Sequence, residues 1–232
     1  MKAFFVAGTD TDVGKTTIAA GLLCAARLAG LSTAAVKPVA SGSWHTVAGL
    51  RNDDALALQA QCNPPLDYSA VNPLAFEPAI APHIAAREAG VELSVATLRP
   101  GIERVLARGA DFTLVEGAGG WRVPLSGRET LADLAVASQL PVLLVVGVRL
   151  GCINHALLTA EAIHRDGLAL AGWIANVVDP HTSRLAENLA TLGELMPAPC
   201  LGTVPWLEDS DASTVAKHVT LAPLGIVISA DS

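Results

Sequence analysis

Apolar residues fall along this chain in short unbroken runs, and a stretch with helical character follows each one. The runs of strand length are Ala3–Ala7, Thr33–Val36, Phe112–Val115, Val142–Val146, Leu170–Ala175 and Leu201–Val204. Runs this continuous, without polar alternation, suit strands buried on both faces. Between them, Leu98, Ile102, Val105 and Leu106 recur at i, i+4, i+7 and i+8 and stop at Gly109. A second periodic segment runs from Asn154 to Arg165 and stops at Gly167. Strands alternating with helices predict βαβ units, hence an α/β fold: a single domain over residues 1–232 with a mostly parallel sheet flanked by helices. Right-handed crossovers bring the strand C-termini to one edge, where the ligand site is expected. Pro64, Pro65, Pro73, Pro78 and Pro82 break regular structure across 61–82, which predicts a long ordered excursion. Beyond Pro205 the pattern fades, and the last ten residues receive no assignment.

Composition sharpens this picture. In 232 residues, 51% are hydrophobic and only 16% charged, enough apolar mass for a large core without metal or disulfide staples. The excess also suits an oligomer that hides further surface. The longest apolar stretch, Leu140–Val148, contains a Pro and a Gly and falls far short of the roughly 20 residues of a spanning helix, so no membrane association is expected. A net charge of −7 without a basic face argues against nucleic-acid binding. Met1–Ala7 resembles a leader superficially, but it runs into Gly8-Thr9-Asp10 and reads as the first strand. Cys24, Cys62, Cys152 and Cys200 show no metal-ligand spacing, and free thiols in a reducing cytoplasm account for them simply.

The strongest local signal is Gly8-Thr-Asp-Thr-Asp-Val-Gly14-Lys15-Thr16-Thr17, set between an apolar strand and the helix-forming run Ile18–Leu23. That setting is the one a phosphate loop requires, since backbone N–H groups and a helix N-terminus converge there on phosphate oxygens. Lys15 would reach the β- and γ-phosphates, the Thr16 hydroxyl could ligate Mg²⁺, and Gly14 lets the backbone approach closely. Five residues separate the two glycines where four are usual. The loop points to a nucleotide without naming the reaction.

Four further residues stand out, and three of them admit two readings. Lys37 ends the strand before Pro38-Val-Ala-Ser-Gly42. It either stabilises a transferring phosphoryl group or snorkels to water from a strand end. Asp54, in Arg51-Asn-Asp-Asp54, opens a helix-like segment, where an acid is usually a cap or a partner of the dipole. Glu116 closes the apolar strand Phe112–Glu116 ahead of Gly117-Ala-Gly-Gly120, the pattern of an acid that holds Mg²⁺ beside a nucleotide. Asn176, after Trp173-Ile-Ala, could read a purine edge, but locally it reads better as a turn residue before Asp179-Pro180.

Taken together, these stretches resemble the dethiobiotin synthase family. The resemblance rests on Gly8–Thr16, Lys37–Gly42, Leu50–Leu58, Val115–Trp121, Val145–His155, Gly172–Asn176 and Pro205-Trp206-Leu207, in family order from residue 3 to about 207. The five-residue gap in the loop is also the family's form. The resemblance implies a P-loop NTPase-like fold and an ATP-dependent cyclo-ligase. Such an enzyme builds a ureido ring from 7,8-diaminononanoate, CO₂ and ATP through a carbamate and its mixed anhydride with phosphate. It implies that Lys15, Lys37 and Thr11 act at the reacting centre and that Thr11 and Ser41 meet the substrate's reacting end. Asp12, Val13, Gly14, Lys15, Thr16 and Thr17, with Gly117, Ala118 and Gly119, would cradle the nucleotide. Asn176, Pro205, Trp206 and Leu207 would hold adenine, and Thr16, Asp54 and Glu116 would organise Mg²⁺. A homodimer is implied too, with Gly151, Cys152, Ile153 and Asn154 receiving the distal carboxylate of substrate bound to the neighbouring subunit. Asp12 departs from the family, which often carries Glu there.

Two other classes compete. An amide ligase of cobalamin synthesis would share the loop but carry a glutaminase domain, for which 232 residues leave no room. A dimeric partitioning ATPase would carry a lysine five positions before Lys15, and Asp10 stands there instead.

Overall fold

A computed structural model describes residues 1–226. The chain runs through β1 (Lys2–Gly8), α1 (Lys15–Leu28), β2 (Thr33–Val36), β3 (Val39–Ser41), β4 (Trp44–Thr46), β5 (Gly49–Arg51) and α2 (Asp53–Gln59). It continues with α3 (Tyr68–Val71), β6 (Leu74–Phe76), α4 (Pro82–Glu88), α5 (Val95–Leu106), β7 (Phe112–Glu116), α6 (Leu131–Ser138) and β8 (Val142–Val148). Then come α7 (Cys152–Arg165), β9 (Leu170–Val177), α8 (Leu185–Leu195), β10 (Cys200–Val204), α9 (Ala212–Ala216) and a 3₁₀ turn at Ala222–Leu224.

Six strands form one parallel sheet in the order β10-β9-β8-β1-β7-β2. Every apolar run named above is one of these strands. β7 and β8 are buried at each residue, as the unbroken apolar runs require. β1 pairs with β7 on one side and β8 on the other. The loop that follows β1 therefore opens at the same sheet edge as the ends of both neighbours, one of them Glu116.

Helix α1 starts where Gly14 takes a left-handed conformation (φ 78°, ψ 32°), which only glycine adopts without strain. It ends as Gly30 (φ 80°) turns the chain, with Gly30 N–H on the Arg27 carbonyl and Leu31 N–H on the Ala26 carbonyl, a Schellman closure. Gly21 on α1 faces Val215 of α9, and a Cβ there would collide with it.

Two small sheets lie off the main one. β3 pairs in parallel with β6, and β4 with β5 as an antiparallel hairpin. The expectation that 61–82 is devoid of regular elements is thus corrected: Pro73 and Pro78 flank β6, and Pro64 and Pro65 precede α3. Prolines there bound short elements. Likewise the fading pattern after Pro205 conceals α9, which packs on α1, and the 3₁₀ turn, where Leu221 and Leu224 are buried. Of the unassigned last ten residues, 227–232 lie outside the described ones.

Candidate active site

The loop from Gly8 to Lys15 curls over the end of β1. Thr9 N–H donates to the Val145 carbonyl at 3.0 Å, and Asn176 Nδ2 donates to the Val13 carbonyl at 2.9 Å. A Cβ on Gly14 would run into Asn176 Nδ2, so the close approach of strand end and loop requires glycine. Asp10 accepts from Thr11 N–H at 2.8 Å and pairs with Arg149 at 2.8 Å, tying the loop to the end of β8. Asp12 is exposed, with a left-handed backbone (φ 57°).

Charges converge beneath this loop. Lys37 Nζ lies 2.5 Å from Glu116 Oε1 and 3.0 Å from Asp54 Oδ2, and Thr16 Oγ1 donates to Glu116 Oε1 at 2.7 Å. Lys37 is 4% exposed and Glu116 fully buried. That excludes the snorkelling lysine, whose head would sit in water. Asp54 is not the cap of α2 either. Asn52 fills that role, its side chain accepting from Ala55 N–H at 3.3 Å, which leaves Asp54 free for Lys37. Asn176 is no turn residue; it lies within β9 and braces the phosphate loop.

Electrostatics follow from this packing. Burial pulls the Lys37 ammonium down, but the Glu116 and Asp54 carboxylates outweigh it and hold the group above its ordinary value. Burial pushes Asp54 up, and Lys37 beside it wins, leaving its carboxyl below the usual value. Lys15 is lowered, first by burial and then by Lys37, against the pull of Glu116. The charge of Lys37 is thus compensated by its neighbours, whereas Lys15 has less compensation, and among the described residues its Nζ donates only to the Asp10 carbonyl, at 3.4 Å.

A cleft of about 770 Å³ opens over these groups. Of the residues expected from sequence, Thr11, Asp12, Gly14, Lys15, Thr16, Thr17, Lys37, Ser41, Asp54, Ala118 and Gly119 line it. Glu116 and Val13 lie buried under it. Gly151–Asn154 and Pro205–Leu207 do not line it; Gly151, Asn154 and Trp206 are exposed on the rim elements that follow β8 and β10. Ala79–Pro82 and Arg122–Pro124 line the cleft and were not singled out from sequence. Pro82 at the first position of α4 was the one available signal for the former. Trp121 is buried, its Nε1 donating to Asp166 Oδ2 at 2.7 Å, while Arg122 pairs with the same carboxylate at 2.8 Å.

Two buried oxygens at this site have no hydrogen-bond partner among the described residues: Ser41 Oγ and Glu116 Oε2. Buried polar atoms are rarely left unpaired, so each fits an incoming ligand. For Glu116 Oε2, with the Thr16 hydroxyl and Asp54 alongside, the all-oxygen donor set fits a hard divalent cation such as Mg²⁺.

A parallel sheet whose central strand feeds a glycine-framed loop and a helix N-terminus, with an acid on the adjoining strand, defines a P-loop nucleotide-binding enzyme. The comparisons with known proteins agree and go further. The AAA domain family model matches residues 2–214. The ATP-dependent dethiobiotin synthetase BioD of Pseudomonas paraeruginosa is 72% identical over 97% of this chain and 99% of its own length. That of Cellvibrio japonicus is 60% identical over 96% and 97%, and BioD 1 of Escherichia coli K12 is 51% identical over 96% and 99%. Among solved structures, the chain is similar to a ParA family ATPase from Chlorobium tepidum (TM-score 0.55, 16% identity, 96% of this chain and 98% of that one). It is also similar to the MinC:MinD complex of Aquifex aeolicus (TM-score 0.53, 14% identity, 95% and 88%). At such identities these neighbours establish the fold alone, so the partitioning class shares architecture only. The chain belongs to the ATP-dependent dethiobiotin synthetase family: it is an ATP-dependent ligase of biotin biosynthesis, with ATP as co-substrate.

Proposed function

We propose that the cleft carries the ring closure as follows. One amine of 7,8-diaminononanoate adds to CO₂, giving a carbamate and releasing a proton. A carbamate oxygen attacks the γ-phosphorus of ATP, and the bond to ADP breaks. The second amine then attacks the carbamoyl carbon, and phosphate leaves with the oxygen it received. A carbamate is a poor electrophile until that oxygen becomes a leaving group, which is why a phosphate loop is needed.

The observation that carries this reading is the placement of Lys15 and Lys37 on one cleft, over Glu116 and Asp54. Bringing a carbamate to a triphosphate sets anion against anion, and positioned cations offset that repulsion. Lys15 and Lys37 flank the transferring group. Thr11 and the unpartnered Ser41 hydroxyl orient the substrate's reacting end. Residues Asp12 to Thr17 and Gly117 to Gly119 cradle the phosphates, and Asn176 with Pro205, Trp206 and Leu207 holds adenine. Thr16, Asp54 and Glu116 hold Mg²⁺, which when bound supplies charge neutralisation on phosphate oxygens. No covalent nucleophile on the protein is required.

The acting unit is a homodimer in this reading. Gly151 through Asn154, at the start of α7, offer free N–H groups and a positive helix end to the distal carboxylate of substrate in the partner's cleft. Leu150 beside them is 95% exposed, an apolar residue suited to burial against a second copy. The whole chain works as one domain in the cytoplasm: among the described residues no helix is long and apolar enough to cross a membrane, and all four cysteines are free. Phosphate release from ATP should require the diamine, bicarbonate and Mg²⁺ together, and a cyclic urea should appear in equal amount. Undiminished release in degassed buffer, or without diamine, would reduce the protein to a simple ATPase.

A further inference from the structure

A second polar cluster lies behind the lysine and touches no part of the cleft charge itself. It is built from Asn52, Tyr68 and Asn72. Both asparagines are buried, and Tyr68 is half-buried. Asn72 Nδ2 donates to the Lys37 carbonyl at 2.8 Å and to the Leu74 carbonyl at 3.2 Å. Lys37 N–H donates to the Val71 carbonyl at 2.7 Å. Both backbone polar groups of Lys37 are therefore held by the end of α3. Asn52, on the other side, donates through Nδ2 to the Ser41 and Gly42 carbonyls at 3.2 Å each, while its Oδ1 caps the helix that carries Asp54. The Tyr68 hydroxyl joins the two halves. It accepts from Asn52 N–H at 2.8 Å and donates to Asn72 Oδ1 at 3.1 Å. Its ring packs under the Arg51 guanidinium, 4.2 Å from the ring centroid.

We propose that Tyr68, with Asn52 and Asn72, is a positioning residue for phosphoryl transfer: its hydroxyl sets Lys37 in register with Asp54 and Ser41. These three come from separate short elements, and none is anchored in the main sheet beyond β2. Lys37 and Asp54 also meet directly through their ion pair, and α3 packs on α2; the Tyr68 hydroxyl adds the hydrogen-bonded link between the Lys37 backbone and the Asp54 helix. The chemistry tolerates little slack, because a misplacement of about 1 Å costs on the order of 10²-fold in rate. The inference rests on the role given to Lys37 above.

Tyr68→Phe keeps the ring and removes the hydroxyl. It is expected to lower kcat about tenfold or more while KM for ATP and for diamine each change less than about threefold, a split that marks an interaction used in the transition state. Since Tyr68 acts through Lys37, adding Tyr68→Phe to Lys37→Ala should cost no further rate. Asn72→Ser should behave likewise, and circular dichroism and thermal melts identify any variant that is merely unfolded. Undiminished kcat in a folded Tyr68→Phe protein, or full additivity with Lys37→Ala, would overturn the inference while leaving the Lys37 role intact. Full activity of Lys37→Ala would overturn both.

Discussion

The floor of the cleft and its rim are built on opposite principles. On the floor, Lys37, Glu116, Asp54 and Thr16 bond to one another across up to 100 positions of sequence, leaving Glu116 Oε2 open, and the charges are buried or half-buried before any ligand arrives. On the rim, Trp206 is 53% exposed, Leu150 95% exposed, and Asn154 is open to solvent. The contrast follows from what each must do. Charges that meet a transferring phosphoryl group have to be oriented in advance, since reorganising them during the reaction would forfeit their effect. The rim groups proposed above to hold adenine and a distal carboxylate would contribute binding, and in that reading they can await the ligand or a second subunit.

This division can be broken most sharply at Lys15. It lines the cleft from the first turn of α1, so Lys15→Ala should keep the fold and abolish turnover. Retention of activity within about tenfold, a loss of under roughly 1.4 kcal/mol, would remove the phosphate loop from the mechanism. The rim gives the next effect. Asn154→Ala should raise KM for diamine several-fold with kcat little changed, and wild-type protein should sediment as a dimer at assay concentration. A fully active monomer would return Asn154 to the status of an ordinary surface residue. The smallest effect separates the two floor lysines. Burial and Lys37 lower Lys15, so at alkaline pH it is the group that has lost its proton ahead of an ordinary lysine. The triphosphate favours the charged form, so ATP binding there should take up a proton, and this uptake should vanish in neutral buffer. Calorimetry in buffers of different ionisation enthalpy reads the proton count. No uptake at alkaline pH would mean that Lys15 does not meet the phosphates.

The linkage for Asp54 has the opposite sign. Burial raises its carboxyl, Lys37 overrides this, and the folded value lies below the ordinary 3.8. The pair therefore contributes stability above that value and loses it as pH falls through the depressed one.

What was legible in the sequence depended on how local its cause was. Five of the six sheet strands could be read because burial on both faces leaves continuous apolar runs; β10, with Cys200 and Thr203 exposed, shows only a short one. The phosphate loop could be read because its strand, glycines and helix are contiguous. β3, β4, β5 and β6, of three residues each, are too short to show a period, and their pairing is set by partners elsewhere. Lys37, Asp54 and Asn176 were ambiguous for the same reason. Each has a bland local role, and only contacts 17 to 163 positions away distinguish it: Asp54 with Lys37, and Asn176 with Val13. Of Ala79–Pro82 and Arg122–Pro124, Pro82 alone carries a local signal, and it marks the start of α4 and not a cleft wall.

The ion cluster under the cleft also places a limit on how this protein can be made hardier. Burying a lysine against a buried carboxylate, with the half-exposed Asp54 on its other side, is seldom the most stable arrangement, and well-packed apolar residues in such positions often raise the melting temperature. A screen that selects only for heat resistance will tend to drift toward Lys37 and Glu116, and each gain there would come from dismantling groups proposed above to act on the phosphate. Selection for endurance in this fold is safer at the far ends of the helices, where no charge is held in reserve for a phosphate.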